Sequence, residues 1–297
     1  MKKLFTLMLM LLVAASFTGC GGGGGTTTEN QTSSTTKIGI LEYLNTNEQQ
    51  FTGYVKKIVG NYSINIPNPQ EYKFFSNLTS MQMALEAGQI DEMSALLPVA
   101  RYMVDRNPKM QILEDYMTTG TNNYTKDGQA LEFANDFCLA FTTQNTALKI
   151  AADAVVADMN KDGTLAKLTQ TYITDLKANE EPAPVAFENI EGAETIKIAV
   201  TGDLPPFDYV NAEGKAAGFN TAFLAELGKR LHKNIELVKI DSGARAAALT
   251  SGQADVAFWT VVPVSQVIPA NADKPDGIEL SAPYYRSAIV HVALKKN

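Results

Sequence analysis

Catalysis and metal binding need reactive groups that converge, and this chain has few to offer. It carries two histidines, His232 and His291, and two cysteines, Cys20 and Cys138. They do not form the paired Cys/His spacing that holds zinc, so neither a metal nor a cofactor is expected. Both histidines read as ordinary structural residues. Cys138 has no internal partner for a disulfide, because Cys20 lies at the end of an apolar leader. The net charge is -7, with the acidic excess spread along the chain. Phosphate backbones are bound by clustered Lys and Arg, so a nucleic-acid partner is not expected.

The elements that must position such residues begin after a leader. Lys2 and Lys3 precede an apolar run from Leu4 to Phe17, followed by Thr18-Gly19-Cys20. A positive start, a short apolar run and small residues form a secretory signal over 1–19. As a membrane span the run is too short, and five glycines follow it. Phe17-Thr18-Gly19-Cys20 resembles a bacterial lipobox, with Phe17 where Leu is usual. The resemblance implies that Cys20 is the lipidation site and that several acyl chains anchor the protein to a membrane. Residues 20–36 are mostly Gly, Thr, Ser, Asn and Gln, the composition of a flexible tether.

Over the full chain 45% of residues are hydrophobic and 19% charged, and 297 residues suggest two compact units. Short apolar runs alternate with helical patterns, which predicts α/β structure. Residues 37–41 and 196–200 are strand candidates. Leu148, Ala151, Val155 and Met159 recur at helical spacing, as do Leu165, Leu168, Tyr172, Ile173 and Leu176. Helices are therefore expected over 146–160 and 164–176, with Gly163 as the stop and Thr164 as the cap between them. Residues 177–195 contain Pro182 and Pro184, several Glu and no periodicity. They read as a linker, able to span roughly 60 Å if extended. An echo also runs through the chain, because "MALEAGQIDEM" (83–93) matches "AALTSGQADVA" (247–257). Both read as a helix end, a glycine, then Gln-x-Asp entering an apolar strand, as two units of one topology would.

The segments "IKIAVTGDLPPFDYVNAEGKAAGFN" (196–220), "LTSGQADVAFW" (249–259) and "LSAPYYRSAIVHVAL" (280–294) resemble the first lobe of the family 3 extracellular solute-binding proteins. "KIGILEYLNTNEQQF" and "LEAGQIDEMSALLPVARYMVDRNPKMQIL" resemble the second lobe, and 137–173 the closing strand and helices. The implied fold is a two-lobed, type 2 periplasmic-binding-protein-like α/β fold with its lobes in permuted order. Its parts are a lobe 2-like domain (37–142), closing helices (143–176), the linker (177–195) and a lobe 1-like domain (196–297). Circular permutation would join the usual ends through 177–195. It predicts that helices 146–176 pack on the 196–297 lobe. It also places a break in one hinge crossing between His291–Asn297 and Lys37, with a looser hinge or adjacent chain ends. The rival is two half-receptors in tandem, each packing on itself.

The resemblance implies an ABC-importer receptor that closes around a solute, extracytoplasmic, lipid-anchored at the periplasmic or cell surface, monomeric, and partnered by a permease. The family's carboxylate-clamping Arg has no counterpart in Val262–Val267. Leu96 or Leu97 replaces the Asp expected for an α-ammonium. Without those charges a standard α-amino acid is not the expected ligand. Candidate walls by position are Phe207, Tyr209, Ser242, Arg245, Trp259 and Thr260 from one lobe. From the other come Glu42, Tyr43, Asn45, Asn47 and Leu96. Trp259, the sole Trp, would either stack on a flat solute or fill the core. Arg245 would either bind an anion or sit solvated on its helix. An enzyme of the dehydratase kind would need a facing acid and base, for which Glu42 and Asp208 are the candidates. A third possibility is a degenerate fold that binds another protein or signals.

Overall fold

The computed structural model describes residues 34–63, 66, 68–113, 134–265 and 267–296. The signal, Cys20 and most of the tether lie outside these residues. Among the described residues no helix is long and apolar enough to cross a membrane.

Two α/β lobes share one curled sheet. The first is built from β1 (Thr36–Leu41), α1 (Glu48–Tyr62), β2 (Gln70–Phe75), α2 (Leu78–Glu86), β3 (Glu92–Leu96), α3 (Leu97–Arg106) and β4 (Met110–Ile112). β5 (Ala134–Thr142) then crosses to the second lobe, followed by α4 (Thr146–Lys161), α5 (Thr164–Thr169) and a π-helical turn, Gln170–Thr174. The second lobe comprises β6 (Thr195–Val200), β7 (Asp203–Leu204), β8 (Asp208–Val210), β9 (Ala216–Ala217), α6 (Phe219–Leu231), β10 (Asn234–Lys239), α7 (Arg245–Thr250), β11 (Val256–Pro263) and β12 (Ile278–Leu280). β13 (Tyr285–Leu294) crosses back.

Each lobe has the same strand order, with one strand supplied from across the hinge. The first reads β2-β1-β3-β13-β4 and the second β10-β6-β11-β5-β12. In each, the first three strands are parallel and the visiting strand is antiparallel. The visitors pair with each other, Phe137 opposite Tyr285 and Ala134 opposite Ala288, which welds two sheets into one. A bidentate pair braces this crossing: Arg286 donates from Nε to Asp136 Oδ1 (2.6 Å) and from Nη2 to Oδ2 (2.9 Å). Both crossings are therefore continuous, which corrects the expected break. β13 passes through the hinge and ends beside β4, where the Lys295 N–H reaches the Lys109 carbonyl.

α4 and α5 bury their apolar stripes against α6 of the second lobe. Ala152, Val155, Val156, Met159 and Leu165 are the buried positions. Asp153 accepts from the Ala282 N–H (2.6 Å), Thr146 donates to Glu279 (2.9 Å), and Arg230 pairs with Asp162 (2.8 Å). Gly163 makes the turn at φ 81, a region glycine enters without steric cost. Thr164 is not the cap, because Gly163 occupies that position; Asp162 takes the Thr164 N–H at 2.9 Å, and the Thr164 hydroxyl accepts from Arg230.

The linker is laid down along both lobes. Val185 N–H donates to Ala216, and the Asn234 side chain holds Ile190 and Ala193. Glu181 receives the hydroxyls of Tyr102 (2.9 Å), in the first lobe, and Tyr209 (2.8 Å), in the second.

Candidate functional site

The lobes face each other across β1, β3 and the hinge strands. A cavity of ≈ 70 Å³ separates them, lined by Glu42, Tyr43, Leu96, Ser242, Arg245 and Trp259 of the expected residues. The first lobe adds apolar walls, Ile40, Leu41, Leu78, Met81, Ala95 and Val99. At ~10–15 Å³ per water, such a space holds a few waters and no solute of amino-acid size. The lobes touch directly around it. Ser242 N–H donates to the Ser76 carbonyl (2.9 Å), Gly243 N–H to Glu42 (3.1 Å) and Thr79 N–H to Asp203 (3.2 Å).

Arg245 is not a solvated helix residue. It is 2% exposed, and its Nε donates to the Ser242 carbonyl (2.9 Å). Its Nη1 donates to the carbonyls of Phe258 (2.6 Å) and Trp259 (2.7 Å). Burial lowers its pKa. The guanidinium thus satisfies main-chain oxygens where β11 bulges, between Ala257 and Thr260. Trp259 sits in that bulge at φ 68. It is buried, stacked on Phe137 (4.0 Å between centroids) and tilted against Phe207 (4.8 Å), with one edge on the cavity.

Five expected residues do not line the cavity. Phe207 is fully buried, edge-on to Phe219 and Tyr285. Tyr209 belongs to the separate three-stranded sheet and is engaged by Glu181. Thr260 is fully buried, and its hydroxyl has no partner among the described residues. Asn47 caps α1 by accepting from Gln50 N–H at 2.9 Å, in a reciprocal capping box. The Asn45 side chain is exposed. Asp208 is also structural. Its carboxylate accepts from Gly202 N–H (2.7 Å), Thr201 N–H (3.2 Å) and the Thr201 hydroxyl (3.1 Å), and burial raises its pKa to about 6. Glu42 is therefore the only carboxylate on the cavity wall among the described residues, so the acid–base pair does not assemble.

Sequence reasoning missed Asp273. It is 3% exposed, on the segment between β11 and β12, and reaches across to the loop after β1. Its carboxylate accepts three main-chain N–H groups, from Leu44 (2.9 Å), Asn45 (2.8 Å) and Thr46 (2.8 Å). Burial raises its pKa, and those bonds with Arg245 oppose the rise. Its partners are more than two hundred residues away, and "NADKPDG" reads locally as a turn, so no sequence signal marked it.

A second cavity, ≈ 130 Å³, adjoins the first. It lies between α1 (Phe51, Tyr54, Val55, Ile58) and the segment carrying Val264, Ile268 and Asp273. His291, on β13, closes its wall, with Nδ1 2.7 Å from Glu92 Oε2. Among the described residues no group of three His, Cys, Asp or Glu could hold a metal.

Residues 196–296 match the bacterial extracellular solute-binding proteins, family 3. That match is about a third of the chain. No curated protein matches the sequence. The solved structures similar to it include the ligand-binding component of an ABC-type import system from Staphylococcus aureus, with zinc bound. It is 12% identical with a TM-score of 0.42, over 88% of this chain and 66% of that one. A periplasmic substrate-binding protein of an ABC transporter from Coxiella burnetii is 14% identical, TM-score 0.40, over 88% and 85%. CbnR, a LysR family transcriptional regulator, is 12% identical, TM-score 0.40, over 89% and 64%. The chain spans just under two thirds of the length of the first and the last of these. The family 3 segment supplies the second lobe and β13. With the matching strand order of the first lobe, the architecture is two-lobed and periplasmic-binding-protein-like.

Proposed function

We propose that this chain is an extracytoplasmic solute receptor serving an ABC importer, anchored through lipidated Cys20 and working as a monomer with its permease. One observation carries the reading. Two lobes of equal strand order hang on two antiparallel crossing strands, the arrangement that lets lobes open and close around a solute. The permuted order belongs to this reading. It is supported by the packing of α4 and α5 on α6, and by a first-lobe sheet completed by β13 from the chain's other end. The charged grips for an α-amino acid are missing: Leu96 lines the cavity, and Arg245 is spent on carbonyls. The ligand is therefore a solute of another class. A thermal-shift screen of the purified chain tests this, since a ligand selective for the folded state raises Tm. A rise with amino acids alone would sink the ligand class, and no rise with any solute would sink the receptor.

A second reading, a degenerate receptor fold used in protein contact or signalling, is favoured by the ≈ 70 Å³ inter-lobe cavity and the direct bonds across it. A dehydratase-like enzyme has the least support, with Glu42 the one wall carboxylate among the described residues and no second acid or base facing it there.

A further inference from the structure

The two cavities share a wall formed by Ile40, Tyr43, Ser94, Asn135, Val261 and Ile289. The inner one is too small for a solute of amino-acid size, whereas the one behind it is larger and mostly apolar. At ≈ 130 Å³ it approaches the ~150 Å³ apolar cavity that takes up benzene in another protein. Its lining is dominated by aliphatic and aromatic side chains, with Tyr43, Phe51 and Tyr72 set in one ring cluster at 5.0–5.6 Å between centroids.

Charge accounting decides what it would take. Among the described residues no Lys or Arg lines the cavity. The Asp273 carboxylate is engaged by three amides, and His291 is paired with Glu92. A charged solute entering here would lose its hydration without gaining an uncompensated partner. The remaining polar side chains, Ser94 and Asn135 among them, are neutral and suit a single hydroxyl or similar group.

We propose that this cavity, between α1 and the segment joining β11 to β12, binds a neutral apolar solute the size of one six-membered ring. The inference deepens the receptor reading and rests on it. It moves the site from the inner cavity to the one behind it, where α1 of the first lobe faces the β11–β12 segment of the second.

Fluorobenzene and 4-fluorophenol, followed by ¹⁹F NMR with the full-length chain, are the probes. Saturable binding is expected, with Val264→Phe weakening it at least ten-fold and Leu204→Phe, on the inner cavity only, doing so less than two-fold. In the wild-type protein, ligand NOEs to Tyr54 and Val55 locate the ring without any substitution. The reverse pattern, with binding lost in Leu204→Phe and NOEs to Trp259, would overturn the site but leave the receptor. Binding of charged solutes with no response to either ring would overturn the ligand class alone. If no solute of any class binds, the receptor reading falls with it.

Discussion

Lys37 in the first lobe and Lys197 in the second stand at equivalent points, and the two lobes treat them alike. Lys37 N–H donates to the Asp91 carboxylate at 2.8 Å, and Asp91 N–H returns to the Lys37 carbonyl at 2.8 Å. Lys197 and Asp255 repeat both bonds at the same distances. The preceding glycines, Gly88 and Gly252, turn at φ 69 and 72. The Gln-x-Asp echo is thus a device that ties the start of the third strand to the start of the first. The surfaces that face each other have diverged. The first lobe presents mostly apolar side chains with Glu42, Tyr43 and Ser94 among them, while the second mixes Leu204, Trp259 and Val261 with Thr201, Ser242 and Arg245. Strand starts hold the fold and keep their hydrogen bonds, whereas the cleft faces are where function varies.

The largest expected break in the likeness is Gly218→Ala, in the second lobe. At φ 105 a Cβ there would lie 2.3 Å from the Phe207 carbonyl and 2.5 Å from that of Pro206. Left-handed strain and backbone overlap together predict a loss of about 4 kcal/mol in urea unfolding. Gly88→Ala and Gly252→Ala, with nothing within 4 Å, should each cost only about 1 kcal/mol. Equal losses at all three would refute the steric account.

Next is Asp273→Ala, which strips three amides of their acceptor where the lobes meet. Leaving them unpaired should cost about 3 kcal/mol. Hydrogen exchange should accelerate at Leu44–Thr46; protection unchanged there would remove Asp273 from the inter-lobe bond.

Asp208 gives the second lobe a pH dependence. Its folded-state pKa is raised from 3.8 to about 6, so the folded protein binds that proton more tightly than the unfolded chain. The stability it contributes is full below about pH 4 and is lost as pH rises through about 6, roughly 3 kcal/mol in all. Asp208→Asn should flatten that slope, and a slope that persists would assign it elsewhere. The smallest effects are the paired ones. Asp91→Ala and Asp255→Ala should each cost about 1 kcal/mol, because their carboxylates hold exposed amides. A difference above about 1 kcal/mol between them would break the equivalence.

Much of the architecture was legible because periodicity and glycine are local signals. The stripe Val155, Met159, Leu165 and the stop at Gly163 placed the first helix within a residue of α4, whereas the second, expected over 164–176, is α-helical only to Thr169 and continues as the π-helical turn to Thr174. The site was less legible because side-chain direction depends on distant partners. Alternation along β11 fails at its bulge, so Trp259 and Thr260 cannot be assigned faces by counting. Arg245 and Phe207 carry nothing in their neighbours to say that one binds carbonyls and the other is core. Asn47 could have been read as a cap from Asn-x-x-Gln, a signal overlooked in favour of its loop position.

The visiting strand β13 also orders events in time. Residues 285–294 are made long after β3, yet they supply the partner of β3 at Met93–Leu96. Until they arrive, β3 has an unsatisfied edge, a template for pairing with other chains. The first lobe's sheet is begun before the second lobe is made and completed after it, so a nascent chain of this protein needs that edge guarded until β13 has been made.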